Sequence, residues 1–129
     1  IASLLAHDVR TVLVTGSSQG TLLELLDTDY PRAFNMPYRI TGEDVKHGKP
    51  DPEPYLMGLQ RAGVESHEAI VIENAPLGVK SGKAAGLTVY AVNTGVLSLE
   101  DLKEAGTDQV FESMRELLVY LETENANNL

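Results

Sequence analysis

The residues best placed to do chemistry are Thr15-Gly16-Ser17-Ser18-Gln19-Gly20, directly after the apolar run Val12-Leu13-Val14. A hydroxyl and a glycine turn between a strand and a helix offer an anion fresh backbone N–H groups. A second such run, Ala69-Ile70-Val71-Ile72, ends on Glu73-Asn74. Between them lies His47-Gly48-Lys49-Pro50-Asp51-Pro52-Glu53-Pro54, a loop whose three prolines forbid strand pairing and lead into a helix.

These positions need a scaffold that brings strand ends together, and the chain reads as one. Val9 to Thr15 is a first strand, dense in β-formers without polar alternation, which suits coverage on both faces. Ile1 to His7 before it is the end of an apolar helix. Thr21 to Leu26 is a short helix stopped near Pro31, and Tyr38 to Thr41 is an extended segment. Tyr55 to Ala62 is a helix with apolar Tyr55, Leu56, Leu59 and Ala62 at helical spacing, ended by Gly63. After the Ala69–Ile72 strand, Asn74 can cap a helix that has Pro76 in its first turn and runs to about Ala85. Leu87 to Val92 is a strand followed by the Asn93-Thr94-Gly95 turn. Ser98 caps a helix from Leu99 to Glu104, Gln109 to Phe111 is a strand, and Met114 to Glu122 is the last helix, with a tail that frays from about residue 125. Strand and helix alternate, so the fold class is α/β with a parallel sheet and helices on both faces. Ligands in such sheets sit outside the C-terminal strand ends, where Thr15 and Glu73-Asn74 both fall.

Bulk properties narrow the partners. At 129 residues and 14.0 kDa the chain is one small domain or a piece of one. A net charge of −9 argues against nucleic acid and anionic membranes, so any phosphate needs a focused site. With no cysteine, thiolate catalysis and zinc–thiolate sites are excluded. No apolar run approaches the roughly 20 residues of a membrane span, and without a signal-peptide pattern the expected location is cytoplasmic. His7, His47 and His67 have no partner pattern and read as surface residues.

Several glycine-turn chemistries can be tested on the letters. A P-loop needs a lysine after its last glycine, but Gly20 is followed by Thr21. Gly16 to Gly20 gives GxxxG, short of a dinucleotide fingerprint. It does satisfy GxSxG, which would make Ser18 a nucleophile needing a later carboxylate and then a histidine. The final 62 residues hold no histidine, and that reading fails.

Taken together, Thr15-Gly16-Ser17, Lys49-Pro50-Asp51-Pro52 and Glu73-Asn74-Ala75-Pro76-Leu77-Gly78 with Ala84-Ala85-Gly86 resemble motifs II, III and IV of the haloacid dehalogenase superfamily. The likeness covers most of residues 9 to 95 and is greatest to the β-phosphoglucomutase-like subgroup, with wording similar to an inorganic pyrophosphatase branch. It implies a Rossmann-like core and a Mg²⁺-dependent hydrolase acting on a small phosphorylated substrate or pyrophosphate through an aspartyl-phosphate; a sugar-phosphate mutase is the alternative in the same family. Thr15 would hydrogen-bond a phosphoryl oxygen with the Gly16 N–H, and Ser17 would contact substrate. Lys49 would bridge the phosphoryl group and the nucleophile, while Glu73 and Asn74 would ligate Mg²⁺. Asn74 departs from the family's usual aspartate: its amide oxygen still coordinates, but one negative charge is lost.

No Asp-x-Asp follows an apolar strand ahead of Thr15; Asp27-Thr28-Asp29 follows a helix and lies too late. The resemblance places a nucleophile strand, and a cap domain, ahead of Ile1. That strand belongs between the strands ending at Thr15 and Glu73, so residues 1–129 are expected to form a partial core with two unpaired apolar edges, completed by an N-terminal segment or a swapped copy. Such a fragment is expected to be inactive alone. A non-catalytic α/β anion-binding or regulatory module is the alternative of a different class; it needs no nucleophile but leaves Lys49-Pro50-Asp51 and Glu73-Asn74 as coincidences.

Overall fold

Five parallel strands and six α-helices alternate along the chain in the computed structural model, which describes residues 1–95 and 97–127. The strands form two separate sheets. β1 (Leu13–Val14) pairs with β2 (Arg39–Ile40), with Leu13 opposite Arg39 and Val14 opposite Ile40. β3 (Ile70–Glu73), β4 (Thr88–Val92) and β5 (Gln109–Phe111) form the second sheet in that order. β1 and β3 do not pair with each other.

Periodicity explains which side of the larger sheet is covered. Val71 registers with Val89, and Ala91 with Val110, so these residues share one face. They form the main core with Tyr55 of α3 (Glu53–Ala62), Val79 of α4 (Pro76–Ala84) and Leu102 of α5 (Leu99–Glu104). Val79 and Leu102 are fully buried, each stabilising the fold by about 1.5–3 kcal/mol relative to exposure. On the opposite face, α6 (Met114–Asn127) packs Leu117, Tyr120 and Leu121 against Tyr90, Val92 and Phe111. Its cover stops short of β3, where Ile70 and Ile72 remain 46% and 37% exposed.

α4 approaches the sheet closely because position 82 lacks a side chain: a Cβ on Gly82 would lie 2.7 Å from Val89 Cγ2. Local signals set the helix ends as expected. Gly63 closes α3 in the left-handed region at φ 69°, and Ser98 caps α5 by accepting from the Asp101 N–H at 3.2 Å.

Three expectations need correction. The first strand is two residues rather than Val9 to Thr15. It is paired on one side only, Val9 is 45% exposed, and Leu13 and Val14 are half-buried rather than covered on both faces. Asn74 does not cap α4: the cap position is Ala75, and the Asn74 side chain turns instead to Thr94. The last helix continues past Glu122 to Asn127, and of the tail expected to fray, Asn128 and Leu129 lie outside the described residues. The remaining helices are α1 (Ala2–Ala6) and α2 (Gly20–Asp29); α2 buries no residue and leaves Leu22 and Leu25 exposed.

Candidate active site

The turn after β1 holds itself in shape. Thr15 donates its N–H to the Ile40 carbonyl (2.9 Å), and its Oγ1 accepts from the Ser17 N–H (3.1 Å). Ser17 Oγ in turn accepts from the Gln19 N–H (3.3 Å) ahead of α2. Among the described residues Thr15 Oγ1 acts only as an acceptor, so its hydroxyl proton is available. Beside this turn runs a second one, Thr41 to Asp44, closed by Asp44 Oδ2 accepting from the Thr41 N–H (2.8 Å) and hydroxyl (3.0 Å). These bonds, with Arg61 nearby, hold the Asp44 carboxyl below its usual range. The two turns nearly touch: a Cβ on Gly42 would fall 2.6 Å from the Gly16 carbonyl oxygen.

Lys49 is presented by a loop pinned at several points. Glu53, in the first turn of α3, accepts the backbone N–H groups of Lys46 and His47, each at 2.8 Å, and His47 Nδ1 lies 3.1 Å from its carboxylate. The Lys46 N–H is the largest cause of a lowered Glu53 carboxyl, opposed by partial desolvation. Farther along, Asp51 Oδ1 accepts from the Glu53 N–H (2.9 Å), and the fully buried Ser81 donates to the Asp51 carbonyl (2.6 Å). The proline-rich stretch is thus a fixed platform, and Asp51 helps to build it.

From this platform the Lys49 ammonium reaches two strand ends. Nζ donates to the Val14 carbonyl of β1 (3.1 Å) and to Glu73 Oε1 of β3. It also lies 5.1 Å from the centroid of the Tyr55 ring, within cation–π range. Glu73 is buried, 8% exposed, and carries three donors: Lys49 and the Tyr55 hydroxyl on Oε1, and the Asn74 N–H on Oε2 (3.2 Å). Desolvation first, and then the Glu73 charge, push the Tyr55 phenol far above its ordinary value, so it remains a donor throughout the physiological range. Asn74 Nδ2 donates to Thr94 Oγ1 beyond β4 (3.1 Å), and among the described residues the amide oxygen has no hydrogen-bond partner.

The structure therefore brings Thr15, Gly16 and Lys49 around one cleft of about 160 Å³, with Gly42 and Gly48 in its walls. Glu73 joins through Lys49, and Asn74 follows Glu73 at the strand end. Ser17 lies outside that cleft lining, its hydroxyl oxygen occupied by the α2 entry. A larger, mainly apolar groove of about 300 Å³ runs between Thr15, Ser17 and the leucines of α2. The three histidines are exposed as expected, but two have partners: His7 Nδ1 lies 2.8 Å from the Ser3 carbonyl, and His47 pairs with Glu53.

As a cation site, Glu73 and Asn74 supply oxygen donors of the type Mg²⁺ takes. Two donors do not complete its shell, and among the described residues no group of three or more His, Cys, Asp or Glu is poised to hold a metal. The pair fits as one side of a Mg²⁺ site.

Four contributors escape a reading of the letters. Tyr55 counts there as apolar, Glu53 as part of a loop, Thr94 as part of a turn, and Gly42 is unremarked. Only Tyr55 carried a usable signal, because a buried phenol needs a hydrogen-bond partner.

Comparisons with known proteins identify the family. The haloacid dehalogenase-like hydrolase family matches residues 1–92. 2-Deoxyglucose-6-phosphate phosphatase 2 of Saccharomyces cerevisiae is 40% identical over 126 residues, 90% of this chain and 50% of the relative. Pyrophosphatase PpaX of Bacillus velezensis is 32% identical over 110 residues, 77% of this chain and 51% of the relative. A candidate beta-phosphoglucomutase from Bacteroides vulgatus superposes with a TM-score of 0.90 at 41% identity, over 97% of this chain and 50% of that one. The chain spans about half the length of these relatives. Motif order, strand-end geometry and these likenesses converge: the chain belongs to the haloacid dehalogenase-like hydrolase family.

Proposed function

We propose that the protein containing this chain is a Mg²⁺-dependent phosphatase that hydrolyses a small sugar or polyol phosphate. The observation that carries the reading is Lys49, which lines the cleft with Thr15 and Gly16 and whose ammonium joins the ends of β1 and β3. In this reading an aspartate from a segment outside residues 1–129, seated between β1 and β3, attacks phosphorus; the P–O bond to the substrate alcohol breaks, and water then cleaves the aspartyl-phosphate. The Thr15 hydroxyl and the Gly16 N–H bind phosphoryl oxygens, and Lys49 offsets negative charge as it accumulates. Glu73 and Asn74 contribute to the Mg²⁺ site, where the metal would neutralise phosphoryl oxygens.

A sugar phosphate is favoured because the relative aligned over 90% of the chain is a 2-deoxyglucose-6-phosphate phosphatase. Pyrophosphate is the second reading. The amide of Asn74 removes one negative charge from the cation side of the site, which suits a more highly charged substrate, and a pyrophosphatase is among the relatives. The test is phosphate release by the full-length protein from sugar phosphates, polyol phosphates and pyrophosphate, with and without EDTA. EDTA-sensitive release, greatest on a sugar or polyol phosphate, is expected; folded protein that releases phosphate from none of them overturns the proposal. Isomerisation of β-glucose 1-phosphate without release would instead make it a mutase. Residues 1–129 alone are expected to show no turnover.

A further inference from the structure

The geometry points to Tyr55 as a positioning residue that divides the labour of the two Glu73 oxygens. Tyr55 is 7% exposed, and its hydroxyl donates to Oε1, the same oxygen that Lys49 holds. Its ring also packs beneath the Lys49 ammonium, with Nζ 5.1 Å from the ring centroid. One side chain thus contacts both members of the ion pair.

The carboxylate has little freedom to rearrange. It lies against Gly78, where a Cβ would fall within 2.2 Å of both oxygens. With Oε1 fixed by two donors, Oε2 carries only the Asn74 N–H among the described residues, at 3.2 Å. An ionised carboxylate oxygen has lone-pair capacity beyond that one bond. Tyr55 therefore reserves Oε1 for Lys49 and leaves Oε2 for a cation, so Glu73 serves the phosphate-binding lysine and the metal together. A phenylalanine at this position would fill the same space and leave Oε1 held by Lys49 alone.

This inference rests on the Mg²⁺ reading above, and its test separates the two. Mg²⁺ binding to the full-length protein is measured by titration calorimetry for the wild type, Tyr55→Phe, Glu73→Gln and the double variant, alongside kcat and KM. Tyr55→Phe is expected to weaken Mg²⁺ binding about 10-fold, in the range found when an outer partner of a metal ligand is removed, with KM for the phosphorylated substrate little changed. Because Tyr55 acts through Glu73, the double variant is expected to bind Mg²⁺ no more weakly than Glu73→Gln alone. Unchanged Mg²⁺ affinity in Tyr55→Phe, or full additivity in the double variant, overturns the inference while leaving the phosphatase reading intact. A wild-type protein that takes up no Mg²⁺ overturns both.

Discussion

Gly78 lies directly against the carboxylate of Glu73: a Cβ at position 78 would stand 2.0 Å from Glu73 Cδ. The five-residue interval between them keeps the first turn of α4 from displacing the acid that ends β3. Because the nearest atoms a Cβ there would meet belong to the Glu73 side chain, which yields before backbone does, Gly78→Ala is expected to expel the carboxylate rather than abolish the fold. Lys49 and Tyr55 would then lose an acceptor, at a cost of about 1–3 kcal/mol. Denaturant unfolding reads that loss, and phosphate release by the full-length protein should fall at least about 10-fold. Unchanged stability and turnover would contradict the packing described.

Lys49→Ala is expected to lower kcat/KM about 10²- to 10³-fold, as removal of a charge-stabilising donor does. Lys49→Arg should not restore it. A planar guanidinium cannot replace a compact ammonium set between the Val14 carbonyl, Glu73 and the Tyr55 ring. Steady-state kinetics on the best sugar phosphate checks both variants, and wild-type rates in Lys49→Arg would refute the point-charge role.

For Asn74→Asp the expected outcome is tighter Mg²⁺ binding, with the preference shifted from pyrophosphate towards sugar phosphates. The variant restores the negative charge, while Thr94 can donate its hydroxyl where it now accepts from the amide. Calorimetry and the ratio of rates on the two substrates check it. An unaltered ratio would remove the case for Asn74 as a charge-tuning position.

Asp108 gives a pH-dependent prediction away from the cleft. Its carboxylate accepts from the Val89 N–H (2.8 Å) and from Lys83 (2.9 Å), in that order of influence, and these hold its carboxyl below the ordinary value. A depressed folded-state value stabilises the fold above the unfolded value near pH 4, and the contribution fades as pH falls through the folded value. With the side chain 39% exposed, solvent screening limits the effect, so Asp108→Asn should cost under about 1 kcal/mol at pH 7. Thermal unfolding across pH should show the gap between wild type and variant closing as pH falls through the lowered folded-state value.

How much of this was legible in the letters depended on the range of each interaction. β5 over Gln109–Phe111, the Ser98 cap and the Gly63 stop follow from neighbours a few residues away. Thr15, Lys49 and Glu73 could be singled out because each sits at a strand end or a proline-fixed loop. The extent of β1 could not, since an apolar run does not show how many strands flank it. Nor could the turn of Asn74 away from α4, because the competing hydroxyl of Thr94 arrives from the end of another strand. Tyr55 was hidden by its own dual character, the ring satisfying the helix pattern while the hydroxyl served a residue of β3.

The contacts of Lys49 also set a count. An ammonium has three N–H donors, and two are engaged by the Val14 carbonyl and Glu73. Among the described residues one remains, to be shared in the proposed reading by the phosphoryl group and the nucleophile. In that reading an incoming group adds to the ion pair rather than breaking it, and the contacts with Val14 and Glu73 orient and charge-balance the lysine beforehand.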